Sequence, residues 1–237
     1  MFKSTWQVQM RDHERRARRL MLKIQRHTGK IDGNLQLANT YIELGSELFR
    51  IKKYKKATKA YRIAVVIRKG VFGEQHILVS EAQRGRGLAL WKLGKRKRAI
   101  DTLSGVLDQL EKHLGCDHSD VAQVIHWLAD LHCPCKKRPC SSSCPNGCDP
   151  SASLTYLDRL LGIQLRSLVD DGEVRRTKEE IANMHTFAAR RHVECGENDD
   201  AVESYQNTLR LYIELKLPAD ALVAYLALSV LTNRGHE

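Results

Sequence analysis

Aromatic side chains make up only 6% of the 237 residues, although 42% are apolar. That balance suits a soluble, α-rich globular chain and excludes a disordered one. Long apolar runs are missing too: the cleanest, Ala221 to Leu231, is too short to span a bilayer. The opening Met1-Phe2-Lys3-Ser4-Thr5 has no apolar h-region, which disfavours signal-peptide export and makes the cytoplasm the expected compartment. Catalytic signatures are also lacking. There is no glycine-rich phosphate loop, no G-x-S-x-G elbow and no HExxH helix, so the chain is not expected to be an enzyme.

Acid is scarce in the first half of the chain. Residues 1–100 carry 25 basic and 7 acidic side chains, a balance of +18, whereas residues 101–237 carry 14 and 21, a balance of −7. The overall +11 therefore belongs to a polarised molecule. Nucleic-acid binding by counterion release would fall mainly on the first half. The seven cysteines are not spread as a secreted disulfide framework would be. Five of them (Cys133, Cys135, Cys140, Cys144, Cys148) lie within sixteen residues, and Cys116 and Cys195 stand apart.

A repeat is present. Val71-Phe72-Gly73-Glu74-Gln75-His76 recurs as His113-Leu114-Gly115-Cys116-Asp117-His118, with the Gly and His positions 42 apart. Ile51-Lys52-Lys53-Tyr54-Lys55-Lys56-Ala57 recurs as Leu93-Gly94-Lys95-Arg96-Lys97-Arg98-Ala99 at the same period, and a third Ala signature is Glu197-Asn198-Asp199-Asp200-Ala201. The step from Ala99 to Ala201 is two periods plus 18, and the Cys-rich stretch 133–150 has 18 residues. That stretch is therefore expected to be an insertion in a regular array. Tyr41, Leu44, Gly45 and Leu48, then Tyr54, Ala57, Tyr61 and Ala64, are spaced as two amphipathic helices. Their small residues fall where antiparallel helices would approach closely.

This pattern resembles the tetratricopeptide repeat. Gly87, Leu90, Gly94, Ala99 and Leu103 repeat it, with departures at Arg86 and Arg96. So do His185, Ala188, Ala189, His192, Gly196, Ala201, Tyr205 and Thr208. The 42-residue period and Leu114-Gly115-Cys116-Asp117-His118-Ser119-Asp120-Val121-Ala122 are similar to the kinesin light chain subtype, whose linker usually reads LGxDHPDVA. Within the linker, Gly115 can take positive φ and end one helix, and Asp117 or Ser119 can cap the next.

The resemblance implies an all-α superhelix, a solenoid of about four helical hairpins with flanking N- and C-terminal helices. Residues 1–32 form a basic amphipathic helix whose Trp6, Met10, His13, Ala17, Leu20 and Ile24 make a short a/d seam. This seam caps the first repeat, pairs with a partner coiled coil, or belongs to a membrane, transit or RNA-binding helix. Residues 33–132 carry repeats 1–2 and helix A of repeat 3, 133–150 the insertion, 151–216 the rest of repeat 3 and repeat 4, and 217–237 a terminal helix and tail. In the third repeat Leu154, Leu157, Leu160, Leu161 and Leu165 are the expected apolar face, with Asp149 or Ser151 as cap. Lys95-Arg96-Lys97-Arg98 is read as a solvated turn and not as a nuclear signal.

By resemblance the function is non-catalytic peptide or protein binding, as a scaffold or adaptor. The groove would be lined by Asn39, Ile42, Ser46 and Phe49, by Glu81, Arg84, Leu88 and Lys92, by Gln123, His126 and Asp130, and by Asn183, Thr186 and Arg190. Arg84, Lys92 and Arg190 favour an acidic segment. His126-Trp127 stands where kinesin light chains often have Asn-Asn. Two alternatives stay open. One is an RNA-binding repeat protein using the basic half, although nucleic acid is not the expected partner. The other is a zinc- or redox-responsive adaptor, because Cys133, Cys135, Cys140, Cys144, Cys148 and His132 offer soft ligands for Zn²⁺ without a C-x2-C knuckle. Otherwise the insertion holds no metal and no cofactor is implied. Self-association through the N- or C-terminal helix is a further expectation.

Overall fold

The computed structural model describes residues 2–26, 35–133, 148–167 and 170–234. Ten helices run through them: α1 (Phe2–Arg26), α2 (Leu35–Arg50), α3 (Tyr54–Phe72), α4 (Ile77–Lys92), α5 (Arg96–Leu114), α6 (Ser119–His132), α7 (Pro150–Arg166), α8 (Asp171–Cys195), α9 (Asn198–Glu214) and α10 (Pro218–Arg234). The described residues contain no strand. Four helical hairpins, α2–α3, α4–α5, α6–α7 and α8–α9, are flanked by α1 and α10. The chain divides into two compact units, Met1–Gly115 and Cys116–Glu237. Unit 1 carries 26 basic and 10 acidic side chains (+16), and unit 2 carries 13 and 18 (−5).

The 42-residue period is visible in backbone angles. Gly73 and Gly115 end α3 and α5 at φ 84° and 86°. Lys53 and Lys95 precede α3 and α5 at nearly the same angles, φ −82°, ψ 55° and φ −86°, ψ 60°. The left-handed turn before them is taken by Gly94 (φ 73°) in the second hairpin but by Lys52 (φ 60°) in the first. A lysine there carries the Cβ crowding that glycine avoids. The helix caps correct the sequence expectation. Neither Asp117 nor Ser119 caps α6. His118 does, its Nδ1 accepting from the Asp120 N–H at 3.1 Å, just as His76 Nδ1 accepts from Leu78 N–H at 3.2 Å for α4. The paired linker histidines are thus capping groups.

In unit 1 the close approach rests on glycine. A Cβ at Gly45 would sit 2.8 Å from the Tyr61 ring, and one at Gly85 would sit 2.6 Å from the same ring. Tyr61 is therefore held between α2 and α4, with its hydroxyl 3.0 Å from Ser46 Oγ. Burial pushes its phenol pKa up, and the Ser46 hydrogen bond pulls the other way. One period later Gly87 stands in the same relation to Leu103, with 2.8 Å available. The α1 seam is used inside the chain: Ala17 and Ile24 are buried with Leu37, Leu44 and Leu48, and Met10 and Leu20 pack on them. His13 Nδ1 donates to Glu47 at 2.6 Å, which explains a polar residue in the seam. The side chain of Trp6 lies outside the described residues.

In unit 2, α6 and α7 pack as a pair, and the backbone of Asp149 donates to His132 O at 2.9 Å. The chain thus leaves and re-enters the hairpin at one point. Asp149 caps α7 through Ala152 N–H at 3.0 Å. The expected α7 face holds at Leu157 and Leu160, which are buried, but fails at its end: Leu165 is 56% exposed, and Ile163 and Gln164 (8% exposed) are buried in its place. Helix α10 packs on α9 through Ala224 and Tyr212. Its other side leaves Leu222, Val223, Tyr225, Leu226 and Val230 exposed.

Unit 2 also carries a pH response. Burial pushes the His185 imidazole pKa below its ordinary value, against the opposing pull of Asp158 and Glu203. Folded His185 is therefore neutral where the unfolded chain binds a proton. Its contribution is complete above the ordinary histidine value of 6.5 and is lost as pH falls below it. Asp158, whose carboxyl is raised by burial, gives the opposite slope in the carboxylate range. Denaturant midpoints taken from pH 7.5 down to 5.5 should fall, and His185→Gln should flatten that fall. An unchanged slope in the variant removes His185 as its source.

Candidate functional site

In unit 1 most of the expected groove residues already have partners within the chain. Arg68, buried on α3, donates from Nη2 to Asn39 Oδ1 at 3.0 Å and from Nη1 to Glu81 Oε2 at 2.7 Å. Nη1 also donates to the Leu78 carbonyl. Ser46 is taken by Tyr61. Phe49 stacks edge-on against Tyr54 at 5.2 Å between centroids, and Ile42 packs against both unit 1 clusters. Leu88 and Arg84 are half-buried. Lys92 is exposed, with its ammonium 5.1 Å from the Trp91 ring centroid.

The strongest charge feature of unit 1 lies elsewhere. The charges of Arg62 on α3 and Arg98 on α5 act on Arg86 of α4, and none of the three forms an ion pair among the described residues. Burial, then Arg98 and Arg62, lowers the Arg86 guanidinium below its ordinary value. The Nε of Arg86 is buried without a hydrogen-bond partner. Arg86 was visible in the sequence only as a departure from the repeat. Its neighbours come from two other helices, so spacing along the chain could not assemble them.

In unit 2, Gln123 and His126 line a cavity of about 650 Å³ together with Trp127, Leu160, Ile163, Gln164 and Glu173. Asp130 lies 3.8 Å from His126 Nε2. At one edge Arg166 grips Asp117 through Nη2 (2.6 Å) and Nε (3.1 Å). That hydrogen-bonded pairing holds the Asp117 carboxyl below the usual carboxylate range. Asn183 is exposed and accepts from Tyr212 O–H at 3.0 Å. Thr186 Oγ1 donates to the Ala182 carbonyl at 2.9 Å, and Arg190 is exposed. Sequence reasoning missed Gln164 and Glu173. The only signal was an amide standing in an apolar helical stripe.

Of the six soft ligands, Cys135, Cys140 and Cys144 lie outside the described residues. Cys133 and Cys148 are buried at the base of the insertion, and the ring of His132 lies 5.5 Å from that of Tyr156. Elsewhere His192, Glu197 and Asp200 bring ligand atoms within 4.8 Å of one another. There His192 Nδ1 donates to Glu197 at 2.6 Å across the α8–α9 turn. No described helix is long and apolar enough to cross a membrane.

No family model and no curated protein matches the chain. Solved structures do. BtubC (BKLC) from P. vanneervenii superposes with a TM-score of 0.59 at 16% identity, covering 87% of this chain and 75% of its own. A Podosopora anserina protein assigned as a kinesin light chain, with nearly identical TPR-like repeats, gives a TM-score of 0.55 at 14% identity. That match covers 85% of this chain and 98% of the other. At such identities the likeness is one of fold, and it agrees with the repeat seen in both sequence and backbone: the chain is an all-α, TPR-like helical-repeat protein.

Proposed function

We propose that the chain is a non-catalytic interaction scaffold of the cytoplasm that holds an acidic segment of a protein partner on unit 1. The observation that carries this reading is Arg86 with the charges of Arg62 and Arg98 acting on it, three arginines from three consecutive helices, none of them ion-paired among the described residues. Arg62 and Arg98 are exposed and Arg86 is half-buried between their charges, so a carboxylate-bearing ligand would offset the repulsion on Arg86 while accepting charge-assisted hydrogen bonds. A partner read through phosphate charge along the whole chain would meet the −5 of unit 2, which favours a protein segment over nucleic acid.

Isothermal titration of a Glu-rich peptide at low salt tests this. Arg86→Ala combined with Arg98→Ala should weaken binding roughly tenfold, the worth of one charged hydrogen bond. Unchanged affinity in the double variant sinks the reading. Tighter binding of single-stranded RNA than of the peptide, with a steep salt dependence, replaces it by the RNA alternative.

A further inference from the structure

The unit 2 cavity differs in chemistry from the arginine group. Gln164 is 8% exposed, and its Oε1 is buried with no hydrogen-bond partner. A buried acceptor left unmatched carries its full desolvation cost, which a donor brought in by a ligand removes. The cavity of about 650 Å³ that Gln164 lines is within the range that takes a side chain and the backbone around it. Three other lining groups have unused capacity among the described residues: the Glu173 carboxylate, the Trp127 indole and the Gln123 amide. The one cation at the edge, Arg166, is already bound bidentately by Asp117. Among the described residues the cavity is left with a net negative charge from Glu173 and no free lysine or arginine to receive an anion.

We infer that this cavity binds a guanidinium, presented by an arginine of a protein partner. A guanidinium is planar and carries five donors, so it can give one hydrogen bond to Gln164 Oε1 and another to the Glu173 carboxylate while its face lies on the Trp127 ring. A carboxylate or phosphate would meet Glu173 by repulsion. Lysine offers a compact, strongly hydrated charge and no planar face to stack. This inference rests on reading the repeats as a protein-binding scaffold. It uses a different unit and a ligand of opposite charge, so loss of acidic-peptide binding on unit 1 leaves it standing, and the reverse holds too.

The test follows the indole Nε1–H resonance of Trp127 in the full chain, identified by its loss in Trp127→Phe. Capped arginine (N-acetyl-arginine amide) is titrated against it, with capped citrulline and capped lysine as controls. Citrulline keeps the shape and loses the charge. Arginine should shift the resonance with a dissociation constant on the order of 1 mM, and citrulline should bind roughly tenfold more weakly. The exposed Glu173→Gln variant should bring arginine down to the level of citrulline without changing the rest of the spectrum. Equal binding of arginine and citrulline, an unmoved Trp127 resonance, or a shift produced by a Glu-rich peptide instead overturns the inference. Lysine binding as tightly as arginine overturns the assignment to a guanidinium.

Discussion

Replacing Tyr61 by alanine is expected to destabilise unit 1 by about 4 kcal/mol, the range found when a buried ring is cut to a methyl group. The site has no means of collapsing. The ring lies between Gly45 and Gly85, where added Cβ atoms would come to 2.8 and 2.6 Å from it, so its removal leaves a gap with bare backbone on both sides. The Ser46 hydroxyl also loses its partner at 3.0 Å. Tyr61→Leu should cost only about 1.5 kcal/mol, because leucine fills most of the volume. Leu103 occupies the matching position one period later, fully buried against Gly87. Gly85→Ala approaches from the other side. It gains about 1 kcal/mol of helix propensity but forces the ring against Gly45, for a net loss of about 1–2 kcal/mol. Urea denaturation followed by a probe within unit 1 reads all three. A Tyr61→Ala loss below that of Tyr61→Leu would show that α2 and α4 can close on each other.

Much of this arrangement was legible because the repeat encodes it more than once. Gly45 and Gly87, Tyr61 and Leu103, and Ala57, Ala99 and Ala201 recur at fixed steps, so a close helix contact could be inferred without any structure. The caps were read wrongly for a chemical reason. Asp and Ser are the familiar N-cap residues, and a histidine ring nitrogen does the same work only as an acceptor. His76 and His118 recur, and that recurrence was the available clue. The α7 face was legible at Leu157 and Leu160 and missed at its end, because Leu165 is apolar and Gln164 is not, while the helix phase buries Gln164. Charge balance located a basic half. It could not show that Arg62 and Arg98 act on Arg86, since the three come from different helices brought together only by packing.

The two candidate surfaces share a logic. In a regular repeat each position has a default, and the departures are where the chain does something besides fold. Arg86 and Gln164 are polar groups in places where a purely structural helix would bury carbon, and each leaves one atom without a partner. Natural cores satisfy nearly all such atoms. Each lies beside charges of one sign that are unpaired among the described residues, positive in unit 1 and negative in unit 2, and the two proposed ligands differ in charge accordingly.

Arg68 is a third departure, and its substitution separates stability from positioning. Arg68→Ala should destabilise unit 1 by about 3 kcal/mol: the long buried stem is lost, and Asn39, Glu81 and the Leu78 carbonyl all lose a donor. Arg68→Lys should recover only part of this, because one ammonium cannot present the planar fork that reaches three acceptors on α2 and α4. Arg68→Leu should cost less than about 1 kcal/mol. Buried ion pairs are often replaced by apolar groups at little loss, and the chain offers its own precedent, since the matching position 42 residues on is Leu110, buried at 5% exposure. Glu81, half-exposed at 48%, can return to water when its partner is removed. If denaturation shows Arg68→Leu to be as damaging as Arg68→Ala, the arginine is a structural necessity. If leucine is tolerated, the arginine serves to hold Asn39 and Glu81 in fixed orientations on α2 and α4, and stability alone does not explain its presence.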